Sequence, residues 1–165
     1  MTRLVGLAPV IGPDTRLLVL GSFPGVASLR AQQYYGHPQN QFWKILSALW
    51  ATDLVALTYA HRLDAVRSRG LGIWDVYAAC EREGSLDADI RHAELNDWGR
   101  LQRECPRLQA IAHNGGESFR HARHTRALGL PVYRLPSTSP ANASWSFERK
   151  RQAWQAVFEA TGLLG

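Results

Sequence analysis

Seven residues, Tyr34-Tyr35-Gly36-His37-Pro38-Gln39-Asn40, put two aromatic rings, an imidazole and two amides immediately ahead of a helix-patterned segment. Aromatic rings offer a stacking platform, and amides can orient water or a polar edge without titrating near neutrality. A second cluster, Gly21-Ser22-Phe23-Pro24-Gly25, follows the continuous apolar run Leu17 to Leu20, the pattern of a strand buried on both faces of a parallel sheet. Its glycines and proline let the chain bend tightly at the strand's carboxyl end. In open α/β sheets that edge is where ligands bind. Asp75, the stretch His113-Asn114-Gly115-Gly116 and the turn Pro136 to Asn142 also follow apolar runs. Neither Ser22 nor Ser137 lies in a G-x-S-x-G elbow, which argues against a serine hydrolase.

The elements that must position these groups follow from periodicity. Phe42, Ile45, Leu46 and Leu49 fall at i, i+3, i+4 and i+7 and predict a helix from Gln41 to Trp50, with Asn40 at an N-cap position. Further helices are expected over Thr58 to Arg69, Asp97 to Cys105, Glu117 to Leu128 and Ser146 to Thr161. Strands are expected over Leu17 to Gly21, Leu71 to Val76, Leu108 to Ala112 and Leu130 to Leu135. Residues 1–16, rich in Gly and Pro, read as an extended arm, and Glu81 to Asn96, which has no apolar period, as a surface excursion. Strands separated by helices predict an α/β fold: a three-layer α/β/α sandwich with a central four-stranded parallel sheet, forming one domain over residues 1–165. The turns after all four strands then emerge at one edge. Phe23, Asn40, Asp75, Asn114 and Ser137 to Asn142 line one cleft in this arrangement.

Composition bounds the partners. With 165 residues, 45% of them hydrophobic, the chain can bury one good core. A formal net charge of +5, with arginine heavily favoured over lysine, suits phosphate. Cys80 and Cys105 are too few for a disulfide framework and lack metal-site spacing, so a reducing cytoplasm is expected and neither metal nor cofactor is. No apolar run reaches the length of a membrane span or signal core.

The motifs GSFPG, YYGHPQNQFWK, WDV, HNG and LPSTSPANA, in this order from Leu17 to about Trp154, resemble the hypoxanthine (deoxyinosine) branch of the uracil-DNA glycosylase superfamily. HPQNQFWK is also similar to the mismatch-specific uracil/thymine glycosylases. The resemblance implies a monomeric repair enzyme acting on DNA that contains deaminated bases. It would hydrolyse the N-glycosidic bond, chiefly of hypoxanthine, by flipping the base and positioning a water, and so leave an abasic site. A mismatch-type uracil glycosylase and a non-catalytic nucleic-acid-binding module are the alternatives.

By the same resemblance, Asn40 carries catalysis, because Phe23 stands where many superfamily members hold the attacking water with Asn or Asp. A simple capping role for Asn40 can coexist with this. Tyr35 takes the place of the stacking aromatic, and Asp75 that of a base-reading asparagine. A carboxylate only accepts hydrogen bonds and so favours a base with an N–H on its edge. Phe23 and Asn114 complete the base-binding set. Ser137 matches a polar residue that aids the leaving group. Ala141 sits at the position of an apolar wedge for which it is small, with Ser139 and Asn142 beside it on the DNA. Phosphate contacts are expected from Gly25 with Ser28, from Gly115-Gly116, and from Arg149, Lys150 and Arg151.

Overall fold

The computed structural model describes residues 2–164, so Met1 and Gly165, the ends of the expected domain and arm, lie outside the described residues. The chain runs β1 (Arg3–Val5), β2 (Leu17–Gly21), α1 (Val26–Ala31), α2 (Phe42–Leu49), α3 (Tyr59–Ser68), β3 (Leu71–Asp75), β4 (Tyr77–Glu81), β5 (Arg91–Leu95), α4 (Gly99–Glu104), β6 (Ala110–Asn114), α5 (Gly116–Phe119), α6 (Ala122–Arg126), β7 (Val132–Leu135) and α7 (Phe147–Ala160). Four strands form a parallel sheet in the order β3-β2-β6-β7.

Every residue of β2 is buried, and alternation sends its side chains to two separate cores. Leu17 and Val19 pack with Phe42, Ile45, Leu46, Val66, Trp154 and Phe158 beneath α2, α3 and α7. Leu18 and Leu20 pack on the other face with Trp74, Leu101 and Ile111. Each such side chain contributes roughly 2 kcal/mol through lost apolar exposure. Two hydroxyl caps set helix starts: Thr58 accepts from the His61 N–H at 3.3 Å, and Ser146 from the Arg149 N–H at 3.1 Å.

Three expectations need correction. The arm contributes β1, and Val10 bridges to Ile73. The excursion contains β5, so β1, β4 and β5 make an antiparallel sheet that covers the second core with Leu4, Ile90 and Leu95. β5 has no apolar period because four of its five side chains are exposed. The helix expected over Glu117 to Leu128 is broken into α5 and α6. Within α5 the Ser118 hydroxyl donates to the Leu20 carbonyl at 2.8 Å and faces His113 Nδ1 at 2.8 Å, which pins α5 to the sheet. Burial lowers the His113 pKa to about 4, so its ring stays neutral.

Candidate active site

A cavity of about 490 Å³ opens at the carboxyl edge of the parallel sheet. It is lined by Phe23, Gly25, Ser28, Tyr35, Asn40, Asp75, Asn114, Ser137, Ser139, Ala141 and Asn142, which the turns after β2, β3, β6 and β7 bring together. Arg149, Lys150 and Arg151 do not line it.

The two tyrosines divide their work. Tyr34 is buried, donates its hydroxyl to the Ala8 carbonyl at 2.9 Å, and receives the Trp43 indole N–H on its own carbonyl at 3.0 Å. Tyr35 adopts φ 54°, a left-handed conformation uncommon for a bulky residue, and its side chain turns into the cleft. One face of its ring stacks on Phe42 at 4.1 Å and 19°. Burial, with Asp75 adding to it, pushes the Tyr35 phenol well above its usual range.

Asn40 does cap α2, one residue further out than its formal N-cap, for Oδ1 accepts from the Phe42 N–H at 3.0 Å. Its Nδ2 makes no hydrogen bond to a protein acceptor among the described residues, and Asn40 lines the cavity. Asn114 is fully engaged as a donor. Nδ2 bonds the Tyr35 hydroxyl at 3.2 Å and Thr138 Oγ1 at 3.0 Å, while Oδ1 accepts the Thr138 N–H at 3.1 Å. That network makes Asn114 a positioning residue that ties the ring to the turn after β7.

Two close approaches shape the floor. A Cβ on Gly21 would fall 2.5 Å from Asp75 Oδ1 and 3.1 Å from the Tyr35 hydroxyl. Gly115, at φ +97°, lets Ser137 approach to 3.0 Å of where its Cβ would be. Ser137, which lines the cavity, accepts the Ser139 N–H on Oγ at 3.1 Å, and Asn142 Nδ2 holds the turn closed through the Ser137 carbonyl at 3.1 Å.

Asp75 is 5% exposed, and burial, reinforced by Asp87 and opposed by Arg82, pushes its pKa up to about 7. The folded protein therefore holds this proton more tightly than the unfolded chain, whose value is near 3.8. The resulting stability is fully present below about pH 4 and is lost as pH rises through about 7.

Two of the expected phosphate contacts are otherwise occupied. Ser28 is buried and accepts the Gly36 N–H at 2.9 Å, so it braces the Tyr35 turn. Lys150 is 2% exposed and donates to Gln41 Oε1 at 2.9 Å, while the Gln41 N–H bonds the Thr138 carbonyl at 3.0 Å. Lys150 therefore ties α7 to the turn before α2 and, through Gln41, to the turn after β7. Among the triplet, Arg151 is paired with Glu148, and Arg149 stands exposed over the Trp145 ring at 4.0 Å.

Sequence reasoning missed the β4–β5 connection. Ser85, Leu86 and Asp87 line the cavity. Ser22 donates to Asp87 Oδ1 at 2.6 Å, and Ser85 Oγ accepts the Val26 N–H at 2.9 Å. Leu86 is one of the few large apolar side chains left exposed, at 55%. Among the described residues no cluster of three or more His, Cys, Asp or Glu is placed to hold a metal ion, and no helix is long and apolar enough to cross a membrane.

A three-layer α/β/α fold with a polar, aromatic-floored cleft at its carboxyl edge is one that comparison can place. Residues 8–158 match the uracil DNA glycosylase superfamily, and the chain belongs to that superfamily. It is 38% identical over 154 residues to a protein of Methanosarcina barkeri named hypoxanthine DNA glycosylase, covering 93% of this chain and 97% of that one. A protein of the same name from Methanosarcina acetivorans is 37% identical over 153 residues, covering 93% and 96%. The solution NMR structure of a uracil DNA glycosylase candidate from M. acetivorans superposes with a TM-score of 0.88 at 35% identity, covering 98% of this chain and 99% of that one.

Proposed function

We propose that the protein is a monofunctional DNA glycosylase that removes hypoxanthine from DNA and leaves an abasic site. The observation that carries this reading is the buried Asp75 carboxyl on the floor of a base-sized cleft, beside the Tyr35 ring and without a protein partner for Oδ2. The names of the two Methanosarcina relatives support the base assigned.

In this reading the flipped base lies against Tyr35 with its N–H edge toward Asp75, a stacking contact of about 1–3 kcal/mol. Asn40 holds a water at the sugar. The C1′–N bond breaks with its electron pair going to the base, the water oxygen bonds to C1′, and the water's surplus proton passes to the base or solvent. Ser137 donates toward the departing base. The chain works as one domain and as a monomer, in the cytoplasm, with no metal or cofactor.

Leu86 lines the cavity, is exposed, and in this reading fills the gap the flipped base leaves. Leu86→Ala is expected to slow excision from duplex about tenfold, since unstacking is worth a few kcal/mol per step, and to leave single-stranded substrate unaffected. Equal effects on both substrates remove Leu86 from the wedge role.

Arg149 anchors the flanking phosphate. Arg149→Ala is expected to reduce the slope of log affinity against log salt by about one; an unchanged slope takes it off the DNA.

The function is tested by incubating the protein with duplexes that carry one hypoxanthine, one uracil or only normal bases, followed by alkaline cleavage. Cleavage at hypoxanthine above uracil supports the reading. Cleavage at uracil alone favours a mismatch-type uracil enzyme, and none at either leaves a binding module.

A further inference from the structure

Apart from the cavity that it lines, the carboxyl of Asp75 is surrounded by protein groups, and none of them neutralises it. From β2, Gly21 lies so close that a Cβ would fall 2.5 Å from Oδ1. From the α1–α2 connection come the Tyr34 and Tyr35 phenols, both pushed upward by burial first and by Asp75 second. From the β4–β5 connection comes a second carboxyl, Asp87. The cation nearby is Arg82, just past β4, and it does not reach Asp75. Its Nε donates to the Gly84 carbonyl at 2.9 Å and its Nη2 to the Pro24 carbonyl at 2.6 Å, and its buried Nη1 is as partnerless as Asp75 Oδ2. An ionised carboxylate in that setting is buried without a donor, an arrangement proteins avoid by protonation.

We propose, building on the functional reading above, that Asp75 meets the base as a neutral carboxylic acid, accepting the ring N–H through one oxygen and donating its own proton to the adjacent carbonyl oxygen. Hypoxanthine and uracil both present a carbonyl beside a ring N–H, so a single acid group bridges both atoms. An ionised carboxylate would instead set its second oxygen against the carbonyl oxygen. The conflict would grow during reaction, because the electron pair released from the C1′–N bond spreads over the base onto that oxygen. The neutral acid reverses the sign: its O–H hydrogen bond strengthens as the negative charge develops, and an interaction that grows toward the transition state accelerates the step. No proton has to leave Asp75 for this to work. Asp87 then assists from a distance, because its negative charge disfavours a second one on Asp75.

The test is single-turnover excision of hypoxanthine between pH 5.5 and 9 by wild type, Asp75→Asn and Asp87→Asn, with a carbon-13 NMR titration of the Asp75 carboxyl in the free protein. Wild-type excision is expected to fall as pH rises past about 7, approaching tenfold per pH unit. Asp75→Asn offers the same acceptor and donor in a group that does not titrate. It should stay within about tenfold of the wild-type plateau and lose the alkaline fall. Asp87→Asn should move the fall to lower pH. A wild-type rate that rises or stays flat through this range overturns the proposal. So does a fall that persists in Asp75→Asn, or a loss above a hundredfold in that variant while it remains folded. Should wild type release neither hypoxanthine nor uracil at any pH, the functional reading fails instead. The NMR titration then decides Asp75 separately: a midpoint near 7 upholds its neutral state and one near 4 overturns it.

Discussion

Asn40→Ala will slow excision by roughly 10²–10³-fold, the scale of removing one preorganised polar group at a reacting centre, while DNA affinity stays within a few-fold of wild type. The structure separates its two roles. Oδ1 caps α2 through the Phe42 N–H, and loss of that bond destabilises the fold by about 1 kcal/mol. Nδ2 makes no hydrogen bond to a protein acceptor among the described residues, and Asn40 lines the cavity, so this amide group is the one assigned to water and substrate. Asn40→Ser retains a hydroxyl acceptor at the cap but lacks the amide, so it should recover stability without recovering rate. Urea unfolding and single-turnover kinetics on both variants check this. A rate restored along with stability would assign Asn40 to the cap alone.

Asn114→Ala is the second large effect, and it travels through another side chain. Three hydrogen bonds to Tyr35 and Thr138 disappear together. Leaving the buried Thr138 N–H and hydroxyl unpaired costs about 1–3 kcal/mol per group. The ring of Tyr35, held in a left-handed conformation, loses the contact that fixes its hydroxyl, and a displacement of about 1 Å at a reacting centre can lower the rate about 10²-fold. A positioning role predicts that excision falls while the pH at which wild-type activity declines is unchanged. A shift of that pH in Asn114→Ala would show that Asn114 touches the titrating group or the base directly.

Much of this architecture is legible in the chain because it rests on strong local patterns. The all-buried run Leu17 to Leu20 leaves no alternative to a central strand, and the apolar stripe on α2 fixes where the preceding polar turn must end. A parallel sheet then delivers four turns to one edge, which is why Phe23, Asn40, Asp75, Asn114 and Ser137 meet although they are far apart in sequence. The antiparallel sheet was not legible, since β5 exposes both its faces and draws its order from pairing with β4. With it went Leu86 and Asp87. Lys150 and Ser28 have partners that residue type does not reveal: a lysine in a basic triplet and a serine in a glycine turn both suggest phosphate, and burial gives each a carbonyl or amide partner inside the protein. The ionisation of Asp75 likewise depends on what surrounds it rather than on its type.

The most direct measurement is product analysis by mass spectrometry after one turnover on a duplex with a single deoxyinosine. Free hypoxanthine is expected in one-to-one yield with alkali-labile sites, with strands that stay intact until alkali is added and no release by Asn40→Ala on the same timescale. Strand breaks without alkali, release of the intact nucleotide, or undiminished release by Asn40→Ala would contradict this expectation.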